Sequence, residues 1–105
     1  MSEDRMTMYE GFVANEPDNT MAWYVLAQER AKRGLFESAM EAYRRVLKID
    51  PTYVAAYYHG ALTLQRAGDV AAARELLERG LTAAREKGDA KSAGEMEELL
   101  QQLGG

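Results

Sequence analysis

Apolar residues recur along this chain three and four positions apart, the spacing that gathers them on one face of an α-helix. A short stripe of Met6, Tyr9 and Val13 comes first. Trp23, Leu26, Ala27 and Ala31 make the next, then Phe36, Ala39, Met40, Tyr43, Val46 and Leu47. Tyr57, Ala61 and Leu64 follow, then Val70, Ala73, Leu77, Leu81 and Ala84, and a final stripe of Ala93, Met96, Leu99, Leu100 and Leu103. Turn formers separate the stripes. Gly34, Gly68 and Gly88 stand where a helix ends and the backbone can turn left-handed. Asp69 and Asp89 follow as helix caps. The stretches "EPDNT" and "DPT" interrupt the chain because the residue before a proline resists helical geometry. The pattern predicts an all-α chain with helices near 3–14, 19–33, 36–49, 53–67, 70–86 and 89–103. Links this short make neighbouring helices antiparallel.

The stripes repeat. A shift of 34 residues pairs Ala22 with Ala56, Tyr24 with Tyr58, Ala27 with Ala61, Gly34 with Gly68, Ala39 with Ala73, Glu41 with Glu75, Arg45 with Arg79 and Leu47 with Leu81. Trp23 and Tyr57 are aromatic partners under the same shift. Met40, Tyr43 and Pro51 map back onto Met6, Tyr9 and Pro17, so the first helix reads as half of an earlier copy. The matched residues are small, aromatic or turn-forming, the types that set helix packing and chain reversal. Such periodicity marks stacked repeats.

At 105 residues the chain has room for one domain. Its 47% hydrophobic and 29% charged content suits a globular fold. It holds no cysteine and no apolar run long enough to cross a membrane, and the acidic start "MSEDRMTMYE" is unlike a signal peptide. A cytoplasmic location and no membrane partner are therefore expected. The net charge of −4 argues against nucleic acid as a partner, since general nucleic-acid binding rests on a basic surface. Charge is uneven, however: Arg30, Lys32, Arg33, Arg44, Arg45 and Lys48 outnumber Glu29, Glu37 and Glu41 along one stretch.

Catalytic parts are sparse. His59 is the only histidine, so triads and histidine metal sites lack their members. Paired carboxylates such as Glu97 and Glu98 lie in polar settings, and neither glycine-rich stretch has phosphate-loop spacing. No catalytic residue, cofactor or metal is expected, and the chain does not read as an enzyme.

With Trp23, Leu26-Ala27, Ala39, Tyr43 and Pro51 in one copy, and Tyr57, Gly60-Ala61, Ala73 and Leu77 in the next, the chain resembles a tetratricopeptide repeat (TPR) protein. It departs from that pattern at three positions. Arg30 replaces an aromatic and must snorkel or pair; Gly60 replaces a core leucine, so a larger neighbour must fill its space; Arg85 replaces proline, so the fifth helix should run on. The resemblance implies a right-handed superhelix of antiparallel helix pairs, an α-solenoid. It implies a half repeat near 3–17, repeats near 18–53 and 54–87, and a capping helix near 89–103.

It also implies that the first helix of each pair lines a concave groove for a protein or peptide. The groove candidates are Tyr24, Gln28 and Lys32 on one helix and Tyr58, His59, Leu62 and Arg66 on the next. The tyrosines have a second reading, as packing between repeats. Some family members hold a peptide's terminal carboxylate with Lys and Asn side chains; the corresponding places here hold Tyr24, Val25, Gln28, Tyr58, His59 and Leu62, so that clamp is not expected. The alternative function is a self-assembling structural domain. Met8 and Phe12, opposite the core stripe of the first helix, would form its homodimer surface unless Phe12 folds inward to fill the place of a missing partner helix.

Overall fold

The structure, a computed structural model, describes residues 4–104. Six helices and no strand occur among the described residues. They are α1 (Arg5–Asn15), α2 (Thr20–Lys32), α3 (Phe36–Ile49), α4 (Val54–Arg66), α5 (Val70–Lys87) and α6 (Ala90–Gln102). Each packs on the next in chain order, and α2 also touches α4, as α4 touches α6. The result is a stack of helix pairs, longer than it is wide, at 44 × 28 × 19 Å.

Local chemistry sets the boundaries. The side chains of Asp4, Asn19, Asp69 and Asp89 each accept a hydrogen bond from a backbone N–H in the first turn of α1, α2, α5 and α6. Gly34, Gly68 and Gly88 adopt φ of +79°, +88° and +72°, which only glycine takes without strain. Just beyond them, Leu35, Asp69 and Asp89 donate back to the carbonyls of Arg30, Leu64 and Ala84, closing α2, α4 and α5 the same way. Without a proline at Arg85, α5 continues to Lys87 and is the longest helix, and Arg85 pairs with Glu97 on α6 at 2.7 Å.

The stripes become the core. Leu26, Ala27, Ala39, Tyr43, Val46, Ala61, Leu77, Ala84 and Met96 are almost wholly buried. Alanines where α2 meets α3 and α4 meets α5 let those helices approach closely. The arginine at position 30 resolves as a pair: its guanidinium donates to the Ser38 carbonyl at 3.0 Å. The space left at Gly60 is filled by Leu76, whose Cδ2 would lie 2.9 Å from an added Cβ. Val70 departs from its stripe and is exposed at the first residue of α5. Phe12 does not fold inward; it is 47% exposed, next to Met8 at 42%.

Candidate functional site

The first helices of the pairs, α2 and α4, present their non-core faces on one side of the stack. Between them lies a hollow of about 380 Å³ lined by Gln28, Lys32, His59, Leu62 and Arg66, with Ala31, Tyr43 and Thr63 beneath. Five of the seven expected groove residues thus meet in one depression. Leu62 supplies apolar surface, and Lys32 and Arg66 supply charge. Arg66 is held in place: its guanidinium stacks over the Phe36 ring at 5.1 Å and donates to the Ala31 carbonyl at 3.3 Å. That carbonyl ends α2, where a cation is favoured by the helix dipole.

The two tyrosines stand differently. Tyr24 sits in an aromatic cluster with Tyr53 at 5.2 Å, His59 at 6.0 Å and Tyr43 at 6.1 Å between ring centroids. It is half-buried, and its hydroxyl accepts from the Gln28 amide at 3.3 Å. Burial, with Tyr53 beside it, pushes the Tyr24 phenol up. Tyr43, deeper still, is pushed up to about 12 by burial and by Tyr24. Tyr58 is half-buried and meets His59 edge-on at 5.4 Å. Burial holds the His59 imidazole below its ordinary value, with Glu95 on α6 working in the opposite direction. At neutral pH His59 is therefore an uncharged hydrogen-bonding group on the wall of the hollow.

Two further hollows extend the first. One, of about 270 Å³, shares Gln28 and Lys32 with it and adds Tyr9 and Val25. The other, of about 600 Å³, shares Tyr9 and Val25 with that one and reaches Phe12 and Met21. The three adjoin across α1, α2 and α4, each sharing lining side chains with the next, and make a row of hollows, the trough. Phe12 and Met21 give it an apolar end; Lys32 and Arg66 give it a basic end. The sequence pattern assigns Tyr9 to the core stripe and Phe12 to the end of the stack, and neither to the trough. Met21, Val25, Gln28 and Lys32, spaced four, three and four apart, share one helix face, and that spacing was the available signal.

Elsewhere the described residues hold no cluster of His, Asp and Glu suited to a metal, and no helix long and apolar enough to cross a membrane.

Antiparallel helix pairs stacked at a 34-residue period define an α-helical repeat solenoid. A family model described as TPR repeat matches residues 27–68. A TPR repeat-containing protein of Pseudomonas aeruginosa is 33% identical over 94 residues, which is 90% of this chain and 90% of that protein. The chain belongs to the TPR repeat proteins. A Bordetella parapertussis protein of known solution structure matches at TM-score 0.85 and 32% identity, over 98% of this chain and 90% of that one. The TPR2B-domain:pHsp70 complex of yeast Sti1 matches at TM-score 0.88 over 94% of this chain and 79% of that one; at 23% identity this is a likeness of fold.

Proposed function

We propose that this chain is a non-enzymatic protein-interaction module that holds a segment of a partner protein along the trough. The observation that carries this reading is a row of three adjoining hollows, which share lining side chains from Phe12 and Met21, through Tyr9 and Val25, to Lys32 and Arg66. An apolar end and a basic end in one row suit a segment with aliphatic or aromatic anchors followed by acidic residues. The yeast TPR2B domain, alike in fold, is described in complex with pHsp70, which supports a peptide-like occupant. Gln28, Lys32, His59, Leu62 and Arg66 would contact the segment, with Tyr24 and Tyr58 at the flank. Buried anchors would supply most of the affinity, and the cations would set salt dependence.

Panning a random peptide-display library against the purified protein tests this. Enriched sequences should pair apolar anchors with Asp or Glu, and Leu62→Glu combined with Lys32→Glu should abolish their capture in a protein that still melts cooperatively. Failure to enrich any peptide over an unrelated control protein, or capture that ignores both substitutions, would reject the reading.

A second reading rests on Met8 and Phe12, which stand exposed one helical turn apart on α1. In that case the chain assembles with itself through its N-terminal end. Light scattering across protein concentration would show a growing mass, and Met8→Glu with Phe12→Glu would return it to the monomer.

A further inference from the structure

A second kind of cleft lies between α3 and α5. No Cα of α3 comes within 8 Å of a Cα of α5, so the two helices leave a gap with α4 beneath it. The gap has a volume of about 360 Å³. Arg44 and Lys48, one turn apart on α3, form one rim, and Arg79 with Glu75 forms the other. Leu47, Leu64 and Leu76 lie within, with Leu76 drawn down toward the notch at Gly60.

Three features set this cleft apart. First, its rim carries three cations against one carboxylate, on a chain whose net charge is −4. Second, among the described residues Arg44 and Lys48 hold neither an ion pair nor a side-chain hydrogen bond, while Arg79 is steadied over the Tyr57 ring at 5.7 Å. Third, the repeat imposes only the α5 rim, where Glu75 and Arg79 recur from Glu41 and Arg45; the α3 rim and the floor are particular to this place. The positions 34 residues before Arg44, Lys48 and Leu64 hold Glu10, Ala14 and Arg30. Arg30 donates its guanidinium to Ser38, whereas Leu64 leaves an apolar surface facing free cations.

We propose that the α3–α5 cleft binds a small amphiphilic carboxylate, its apolar body on Leu47, Leu64 and Leu76 and its carboxylate among Arg44, Lys48 and Arg79. The volume lies in the range of small-molecule pockets. Guanidinium groups match carboxylates in shape and charge, and a partly apolar surround strengthens the pairing. The cleft and the α2–α4 hollow share Tyr43 and otherwise draw on different side chains.

Amide chemical-shift titration of the whole chain with octanoate, below its micelle concentration, tests the proposal. Saturable shifts should cluster on α3 and α5. Octanol and acetate, each lacking half of the required chemistry, should bind at least roughly tenfold more weakly. Arg44→Glu with Lys48→Glu should abolish the octanoate shifts, as should Ala72→Leu, which fills the cleft from α5; Leu62→Glu in the trough should leave them unchanged. Octanol binding as well as octanoate, shifts confined to the trough, or octanoate binding that survives both cleft variants would overturn the assignment.

Discussion

The Tyr57 hydroxyl donates to the carbonyl of Pro51 at 2.7 Å, tying the second turn of α4 to the loop that precedes it. One repeat earlier the Trp23 indole N–H makes the same connection to the Pro17 carbonyl at 2.8 Å. Each ring also lies beneath an arginine from the following helix: Arg45 over Trp23 at 5.4 Å, Arg79 over Tyr57 at 5.7 Å. Proline, aromatic and arginine thus recur as a unit that fixes how each helix pair begins. Tyr57→Phe keeps the ring and removes the hydrogen bond. The Pro51 carbonyl is near solvent and regains a water partner, so the cost should be toward the low end of about 0.5–1.5 kcal/mol, read as a small fall in the urea midpoint at unchanged slope.

Two buried glycines should respond unequally to alanine. A Cβ at Gly80 would lie 2.5 Å from the Tyr57 Cβ and 2.6 Å from the Met96 sulfur. The Tyr57 Cβ is anchored to its backbone and cannot give way, so Gly80→Ala should cost roughly 1–3 kcal/mol despite alanine's better helix propensity. At Gly60 the nearest atom is the far end of Leu76, which can rotate. Gly60→Ala should therefore be close to neutral. Chemical denaturation of the two variants side by side checks the contrast, and a Gly80→Ala protein as stable as the parent would contradict the packing described.

Glu29 is buried, and Arg33, one turn on, donates to it at 2.9 Å. The same guanidinium also reaches the exposed Asp4 carboxylate, which caps α1. Removing Arg33 leaves a buried carboxylate without its partner, whereas removing Asp4 exposes a cation that is already wetted. Arg33→Ala should lower the melting temperature more than Asp4→Ala. Equal effects would place the value of this cluster in the α1 cap and not at Glu29.

Stability should fall on mild acidification. The folded protein holds His59 below its ordinary value of 6.5, chiefly through burial, so the unfolded chain takes the proton first. The stability this contributes is present above pH 6.5 and is lost as pH falls toward the folded value. Thermal melts between about pH 7.5 and 5.5 should show the decline, and His59→Gln should flatten it. A second decline belongs to Asp4, Asp50 and Asp89, each held below 3.8 chiefly by a side-chain hydrogen bond, from Arg33, Thr52 and Ser92 respectively. Their contribution is present above 3.8 and lost at lower pH.

What the sequence determined by itself was local and periodic. Helix ends followed from Gly34, Gly68 and Gly88, and from the Asp69 and Asp89 caps, because capping is settled by bonds a few residues apart. The core stripes and the 34-residue phase followed from side-chain spacing, which also made the family legible. The tertiary structure decided what depends on distant segments meeting. Tyr24 joined a cluster with Tyr43, Tyr53 and His59, residues brought together only when α2, α3 and α4 stack. Phe12 remained outside the core and became one end of a trough whose other end is Arg66 on α4. The α3–α5 cleft exists because α4 holds those helices apart. Spacing along one helix fixes which side chains share a face, but the hollow between two helices depends on their separation, which is set by the side chains packed beneath both.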